Sequence, residues 1–284
     1  MPDQRTLCKK VSPFTIVQYN CRNIISNGQE LKSFLYSFFP TLVCLCETHL
    51  KPTNRFKVPG YKTLRSDRLD ARGGGLAMLI REGTPFLNYP INRHPEGSLE
   101  VQAIKLGWLG SWVTILNLYN PCQTISPHEF EFYFSPFPSN TLIVGDFNAH
   151  HPLWEPELRA SGSNATGRNL ASHLLQNPAI NLLTPPGLCT RLDPYRGTGA
   201  TLDLAAGGGI FSLPDGVSTG PDIGSDQLPV LLNFGLSFAQ SPNITRPRWT
   251  IKPDKLDTWT ETLGKETLPR HADLTTAVES SQTR

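Results

Sequence analysis

Two hydrophobic periods alternate along the chain. FTIVQYN (14–20) is a near-continuous apolar run, the pattern of a buried strand. GQELKSFLYSFF follows, with Leu31, Phe34, Leu35, Phe38 and Phe39 at helical spacing. Pro40 ends that helix, because proline has no N–H and its ring clashes with the preceding turn. TLVCLCE (41–47) is a second apolar strand, so the chain opens β-α-β. Strand patterns recur at YKTL (61–64), GLAMLI (75–80), LEVQAIKL (99–106), WVTILNLY (112–119) and TLIVGDF (141–147). INLLT, TRLD, TLDLA and LPVLLNF supply the last ones. SPHEFEFYF opens a second helix, with Ser126 as cap, Pro127 at the first helical position and Glu129 placed to close a capping box. NLASHLLQN (169–177) reads as a third, ending before Pro178. Many strands with few helices predict an α/β fold of two packed sheets with helices outside.

Around residue 241 the texture changes, and residues 242–284 show little strand pattern and few large apolar side chains. We expect an N-terminal extension over 1–13, one folded domain over 14–241, and a linker or tail over 242–284. With 38% hydrophobic residues in 284 there is material for a core, and wholesale disorder is excluded. The 25 prolines and 23 glycines predict many turns. The longest apolar candidate for a membrane span, Phe34 to Cys46, is interrupted by Ser37, Pro40 and Thr41. MPDQRTLCKK at the start is polar and lacks a secretory apolar region. A net charge of +2 does not by itself point to nucleic acid. None of the six cysteines forms a C-x-x-C pair, and Cys44 and Cys46 share one strand face, so we expect reduced thiols in an intracellular protein.

The chemical signal is a set of polar residues at the ends of apolar strands. Asn20 follows FTIVQY, Glu47 follows TLVCLC, Tyr119 and Asn120 follow WVTILNL, and Asp146 and Asn148 follow TLIVG. Asp203 sits in TLDLA, and Asp226 lies just before LPVLL. A polar group where a buried strand ends is costly unless it is paired or ligated, so their recurrence implies that several strand ends meet at one polar cleft. The residue types suit divalent-metal phosphoryl chemistry. Mg²⁺ takes hard oxygen ligands and keeps several waters, and Glu47, Asp226 and Asn20 could meet that need. Asp146 and Asn148 could orient or deprotonate an attacking water.

In order, QYNCR (18–22), CET (46–48), LYNP (118–121), GDFNAHH (145–151), TLDL (201–204) and GSDQLPV (224–230) resemble the endonuclease/exonuclease/phosphatase superfamily. SDRLDARGGGLAMLIR and GDFNAHHPLW resemble the apurinic-type endonuclease domain of jockey-like, non-LTR retrotransposon polyproteins. The resemblance covers about residues 14–235. It implies a four-layer α/β/β/α sandwich of two mixed sheets, as in DNase I, and a Mg²⁺-dependent nuclease that nicks DNA, with Mn²⁺ as a substitute. It also implies a reverse transcriptase as partner domain, and a nuclear site of action follows only from the DNA substrate. Carried over by position, Asn20 and Glu47 lie at the metal end and Tyr119 bonds the scissile phosphate. Asp146 activates water, Asn148 helps to position it, Asp203 orients the catalytic histidine, and Asp226 belongs to the terminal Ser-Asp-His motif.

The departure is in that last motif, which reads Ser225-Asp226-Gln227. Glutamine donates hydrogen bonds but cannot become a cation near neutral pH or relay a proton. A decayed DNA-binding remnant therefore competes with an active nuclease, and another phosphoesterase of the same fold is a third reading. Arg65, Arg68 and Arg72 alternate with Asp67 and Asp70, which suits either a DNA-backbone contact or a solvated charged loop. Gly73–Gly75 lacks the following Lys-Ser/Thr of a phosphate loop and reads as a mobile connection. Loop 60–75 and the region 185–200 are the candidate DNA contacts.

Overall fold

The structure is a computed structural model that describes residues 12–238, except 109, 136–138, 194–196 and 213. The chain divides into two units, Met1–Ile244 and Thr245–Arg284, and every described residue lies in the first. The tail expected over 242–284 lies outside the described residues, as do residues 1–11.

The elements run β1 (Ser12–Asn20), α1 (Gly28–Phe38), β2 (Leu42–Cys46), β3 (Tyr61–Ser66), β4 (Leu76–Arg81), β5 (Phe86–Tyr89), β6 (Glu100–Trp108), β7 (Ser111–Tyr119) and α2 (Pro127–Phe134). Then come β8 (Thr141–Asp146), α3 (Ala165–Gln176), β9 (Asn181–Leu182), β10 (Arg191–Leu192), β11 (Gly199–Ala200), β12 (Asp203–Gly207), β13 (Gly216–Thr219) and β14 (Val230–Phe238). One six-stranded sheet has the order β13-β14-β1-β2-β4-β3, and a second has β5-β6-β7-β8-β12-β9.

Period-two alternation assigns each strand's side chains to two layers. Ile16, Cys44, Ile80, Ile104, Ile115, Leu142 and Val144 meet in a core between the sheets. On the outer face of the first sheet, Val17, Val43 and Leu79 pack with Leu31, Phe34 and Leu35 of α1. On the outer face of the second, Leu116, Leu118 and Ile143 pack with Phe130 and Phe134 of α2 and Leu170 and Leu174 of α3. The result is the α/β/β/α order expected from the motifs. Apolar burial at roughly 25 cal/mol per Å² makes these three apolar layers the main stabilising contribution.

Local differences from the sequence reading have physical causes. Ser126 caps α2 by accepting a hydrogen bond from Glu129 N (3.1 Å). The Glu129 carboxylate does not complete the box; it accepts from Ser98 N and Leu99 N, each at 2.8 Å, and so ties α2 to the start of β6. α3 starts at Ala165 because Asn164 caps it, accepting from Gly167 N at 2.7 Å. The INLLT segment contributes only Asn181–Leu182, and β5 and β13 escaped the sequence pattern.

Topology then gathers strand ends. β1–β2 and β7–β8 are parallel pairs, so their C-terminal ends lie side by side within each sheet. β12 runs antiparallel to β8 and β14 antiparallel to β1, so both begin where their partners end. A Cβ at position 145 would sit 2.0 Å from Leu118 O, so glycine there is what lets β8 lie against β7.

Candidate active site

The inward face of these strands is apolar until its last positions and then turns polar. Ile16 gives way to Gln18 and Asn20, Ile115 to Asn117 and Tyr119, Val144 to Asp146, and Ala205 is preceded by Asp203. Tyr119 is paired with Asp146 across β7–β8, and Asp203 with Asp146 across β12–β8.

Asn20 is the hinge of the cluster. Its amide donates to Glu47 Oε1 (2.9 Å) and to Asp146 Oδ2 (2.8 Å), and its Oδ1 accepts from Arg22 N (3.1 Å). Gln227 Nε2 donates to the same Asp146 Oδ2 at 2.9 Å. Asp146 Oδ1 accepts from Asn148 N at 2.9 Å. Asn148 is itself held twice: its Nδ2 donates to Asn120 O and its carbonyl accepts from Asn164 Nδ2, both at 2.8 Å. Glu47 and Asn148 both adopt left-handed backbone (φ 51° and 44°), the kind of constrained geometry found where loops aim side chains.

Asp203 is fully buried and accepts from Gln18 Nε2 at 2.7 Å. Its partner is therefore an amide, and Arg191 pairs with Asp226 (3.3 Å). Asp226 also lies 3.8 Å from Arg22 and has only moderate exposure. His150 pairs with Glu155 (3.0 Å), whose hydrogen bond raises the imidazole pKa, and His151 Nδ1 accepts from Leu153 N (3.1 Å). Both histidines are committed elsewhere and do not replace the one missing at 227.

The electrostatics follow from packing acids together. Burial pushes the Asp146 pKa up to about 6, against the hydrogen bonds of Gln227, Asn20 and Asn148 that hold it down; the Glu47 charge adds to the rise. Burial raises Asp203 well above the usual carboxylate range, and the Asp146 charge raises it further. The Tyr119 hydroxyl is raised by burial, then by the Glu47 charge and a hydrogen bond to Glu47. Three buried oxygens here have no hydrogen-bond partner: Gln18 Oε1, Asp203 Oδ2 and Gln227 Oε1. A proton retained on Asp203 removes one of those deficits.

The donor set suits a hard divalent cation. Among the described residues no three His, Cys, Asp or Glu side chains are grouped to hold a metal. Mg²⁺ needs only one or two carboxylates with waters, and Glu47 is a partly exposed carboxylate that Asn20 orients. In this arrangement Asn20 turns its NH₂ to the acids and Asp226 faces two arginines, whereas Glu47 faces His49 at 3.4 Å, so among the described residues Glu47 is the expected carboxylate ligand that no arginine engages.

Among the arginines singled out, Arg65 binds Asp67 through two nitrogens (3.0 and 2.6 Å) and caps Asn54 O (2.8 Å) and Lys51 O (2.7 Å). Arg68 pairs with Glu100 beneath the glycine loop. Arg72 is exposed. Gln18, Asn117 and Asn164 were missed as supporting residues. Gln18 and Asn117 carried a readable signal, a polar residue two positions before a polar strand end and thus on the same face.

Residues 113–231 match the profile of the endonuclease-reverse transcriptase family. The chain is 24% identical over 277 residues to a probable RNA-directed DNA polymerase from transposon X-element of Drosophila melanogaster, covering 95% of this chain and 28% of that protein. It is 22% identical over 138 residues to the RNA-directed DNA polymerase from mobile element jockey of the same species, covering 48% of this chain and 15% of that one. The chain thus spans a minor part of the length of these relatives. In structure it is similar to the endonuclease domain of TRAS1, a telomere-specific non-LTR retrotransposon, with a TM-score of 0.63 at 16% identity, covering 79% of this chain and 99% of that domain. Profile, relatives and fold point the same way: residues 113–231 are similar to the endonuclease-reverse transcriptase family, and the described fold is similar to that of the TRAS1 endonuclease domain.

Proposed function

We propose that this domain is a Mg²⁺-dependent, DNA-nicking endonuclease whose turnover is attenuated by Gln227. The observation that carries the reading is the Asn20 amide bonded at once to Glu47 and Asp146, with Gln227 on the same carboxylate oxygen. Distant polar residues are thereby drawn into one buried cluster at converging strand ends. Glu47 would hold the cation, and Asn20 orients its carboxylate. When bound, Mg²⁺ or Mn²⁺ supplies a Lewis acid that polarises a phosphoryl oxygen and stabilises the leaving one. Asp146 takes the proton of the attacking water, for which a carboxylate raised towards neutrality is suited. Asn148, locked from both sides, positions that water, and the Tyr119 hydroxyl donates to the scissile phosphate. Departure of the 3′ oxygen, protonated from solvent, would leave a 3′ hydroxyl able to prime a reverse transcriptase, the partner domain that such priming would need. A nuclear site of action follows only from DNA as substrate.

Arg72 is the loop arginine available to a DNA backbone, because Arg65 and Arg68 are engaged within the protein. No helix among the described residues is long and apolar enough to cross a membrane. Gln227 also favours a second reading, a remnant that binds DNA and turns over poorly.

Nicking of supercoiled plasmid in Mg²⁺ tests the proposal. The wild-type chain should nick, and Glu47→Gln should lower the rate by at least roughly 10²-fold, because it loses the charge that holds the cation. Turnover of phosphoinositide or RNA without DNA nicking would replace this reading with another phosphoesterase. DNA binding with no nicking would leave the remnant.

A further inference from the structure

We infer that Arg68 and Glu100 are positioning residues for this site: their ion pair braces Tyr119 and the Glu47 turn together. The inference rests on the nuclease reading for its purpose, though the geometry stands apart from it. Arg68 reaches Glu100 through Nε and through its terminal nitrogen, and each side chain is only 16% exposed. The guanidinium lies over the Tyr119 ring, 5.8 Å from its centroid, a cation–π arrangement. Glu100 is also the cross-strand neighbour of Tyr119 on β6–β7. The pair therefore flanks the tyrosine, with Arg68 over its ring face and Glu100 on the neighbouring strand.

Its other end reaches Glu47. Glu100 Oε2 accepts from Gly75 N at 2.7 Å. The carbonyls of Gly75 and Gly74 accept from Thr48 N (3.1 Å) and His49 N (2.9 Å). Glu47 and His49 are both left-handed (φ 51° and 53°), so that turn needs tethers to persist. Gly74 has φ +66°, and a Cβ there would lie 2.4 Å from Arg68 Cζ and from Glu100 Oε1. The triple glycine is thus a packed bridge between the ion pair and the Glu47 turn. A phosphate contact by Arg68 would require breaking a largely buried pair and stranding Glu100, which disfavours that use of the residue.

The test is steady-state nicking by Arg68→Met, which keeps the unbranched stem but removes the charge and the fork. We expect kcat to fall about tenfold or more with KM for DNA changed less than about threefold, the signature of a misaligned site. In a Tyr119→Phe background the same substitution should cost less, since the hydroxyl it orients is gone. Additive costs overturn the coupling. A raised KM with unchanged kcat, and a flatter salt dependence of DNA binding, would make Arg68 a backbone contact and overturn the inference. A second readout needs no activity. In chain labelled with ¹³Cζ-tyrosine, the resonance lost in Tyr119→Phe should shift in Arg68→Met, and an unmoved resonance overturns the brace. A shifted resonance in a chain that does not nick sinks the nuclease reading and leaves the brace standing. Should Arg68→Met fail to fold, Arg68→Lys and Glu100→Gln give the same comparison.

Discussion

At position 227 the side chain delivers one N–H to Asp146 and leaves its carbonyl oxygen buried without a partner. Histidine there would supply a cation facing developing phosphate charge and a counter-charge for Asp203. Glutamine supplies neither, while burial and the Asp146 charge raise the Asp203 pKa well above the usual carboxylate range. Two linked outcomes follow. Gln227→His should raise plasmid nicking by at least roughly 10²-fold, the usual scale of an acid–base or electrostatic group, and no rise would remove the histidine argument. Asp203→Asn should be tolerated in the natural chain but cost activity in the Gln227→His chain, where an imidazolium needs the carboxylate. The sign of the stability change is fixed by linkage. A carboxyl with a raised folded pKa binds its proton more tightly when folded than when unfolded. Stability is therefore lost as pH rises from about 4, the unfolded value, towards the folded one. Asparagine has no such proton. In EDTA, the melting temperature of Asp203→Asn should exceed that of wild type, and the gap should widen from pH 4 to pH 8. A gap that closes with rising pH would mean that Asp203 is ionised and paired.

Elements place these residues through their ends. Asn164 shows how one cap serves both helix and site. It caps α3 through Gly167 N, accepts from His150 N (3.1 Å) and donates to Asn148 O. Asn164→Ala should cost about 1 kcal/mol from the lost cap alone, and more because Asn148 O and His150 N lose partners; chemical denaturation reads this directly. It should also depress kcat, because Asn148 loses one of its two locks, whereas Ser126→Ala should cost only the cap. Equal effects of the two would reduce Asn164 to a helix cap. Legibility in the sequence follows the same division. Asn20, Glu47, Tyr119 and Asp146 were readable because each ends a long apolar strand, and such a run has few ways to hide a polar residue. Asp203 and Gln227 were readable through motif order. The Arg68–Glu100 brace was not, because a loop arginine and a strand glutamate 32 positions apart meet only after both sheets form. Nor was the start of α3, since SGSNATGR has turn composition until Asn164 is seen to cap it.

Across the whole domain, the layer between the sheets is apolar at one end and polar at the other. β6 and β7 share one register, in which Trp108 faces Ser111 while Glu100 faces Tyr119, so the tryptophan and the site sit at opposite ends of the same hairpin. At the far end Trp108 packs against Phe14 (4.5 Å between ring centroids), Phe211 (5.1 Å) and Phe234 (5.8 Å). That cluster joins both sheets to the 208–212 turn, and Trp108 is 1% exposed. Truncating so large a buried ring leaves a cavity that surrounding strands cannot close, at a cost of about 3–5 kcal/mol. The polar end works against folding: fully buried Asp146 has its pKa raised, so its charge costs stability, a cost that the proposed proton transfer would explain. The two ends should therefore respond oppositely. Trp108→Ala should lower the denaturation midpoint sharply yet keep kcat within about threefold at a temperature where it stays folded, since additivity holds for distant sites. Asp146→Asn should abolish nicking while leaving the midpoint, measured without divalent ions, unchanged or higher. A stability loss in Asp146→Asn comparable to that of Trp108→Ala would mean that the acid cluster holds the strand ends together, and that the polar end is structural framework before it is a site.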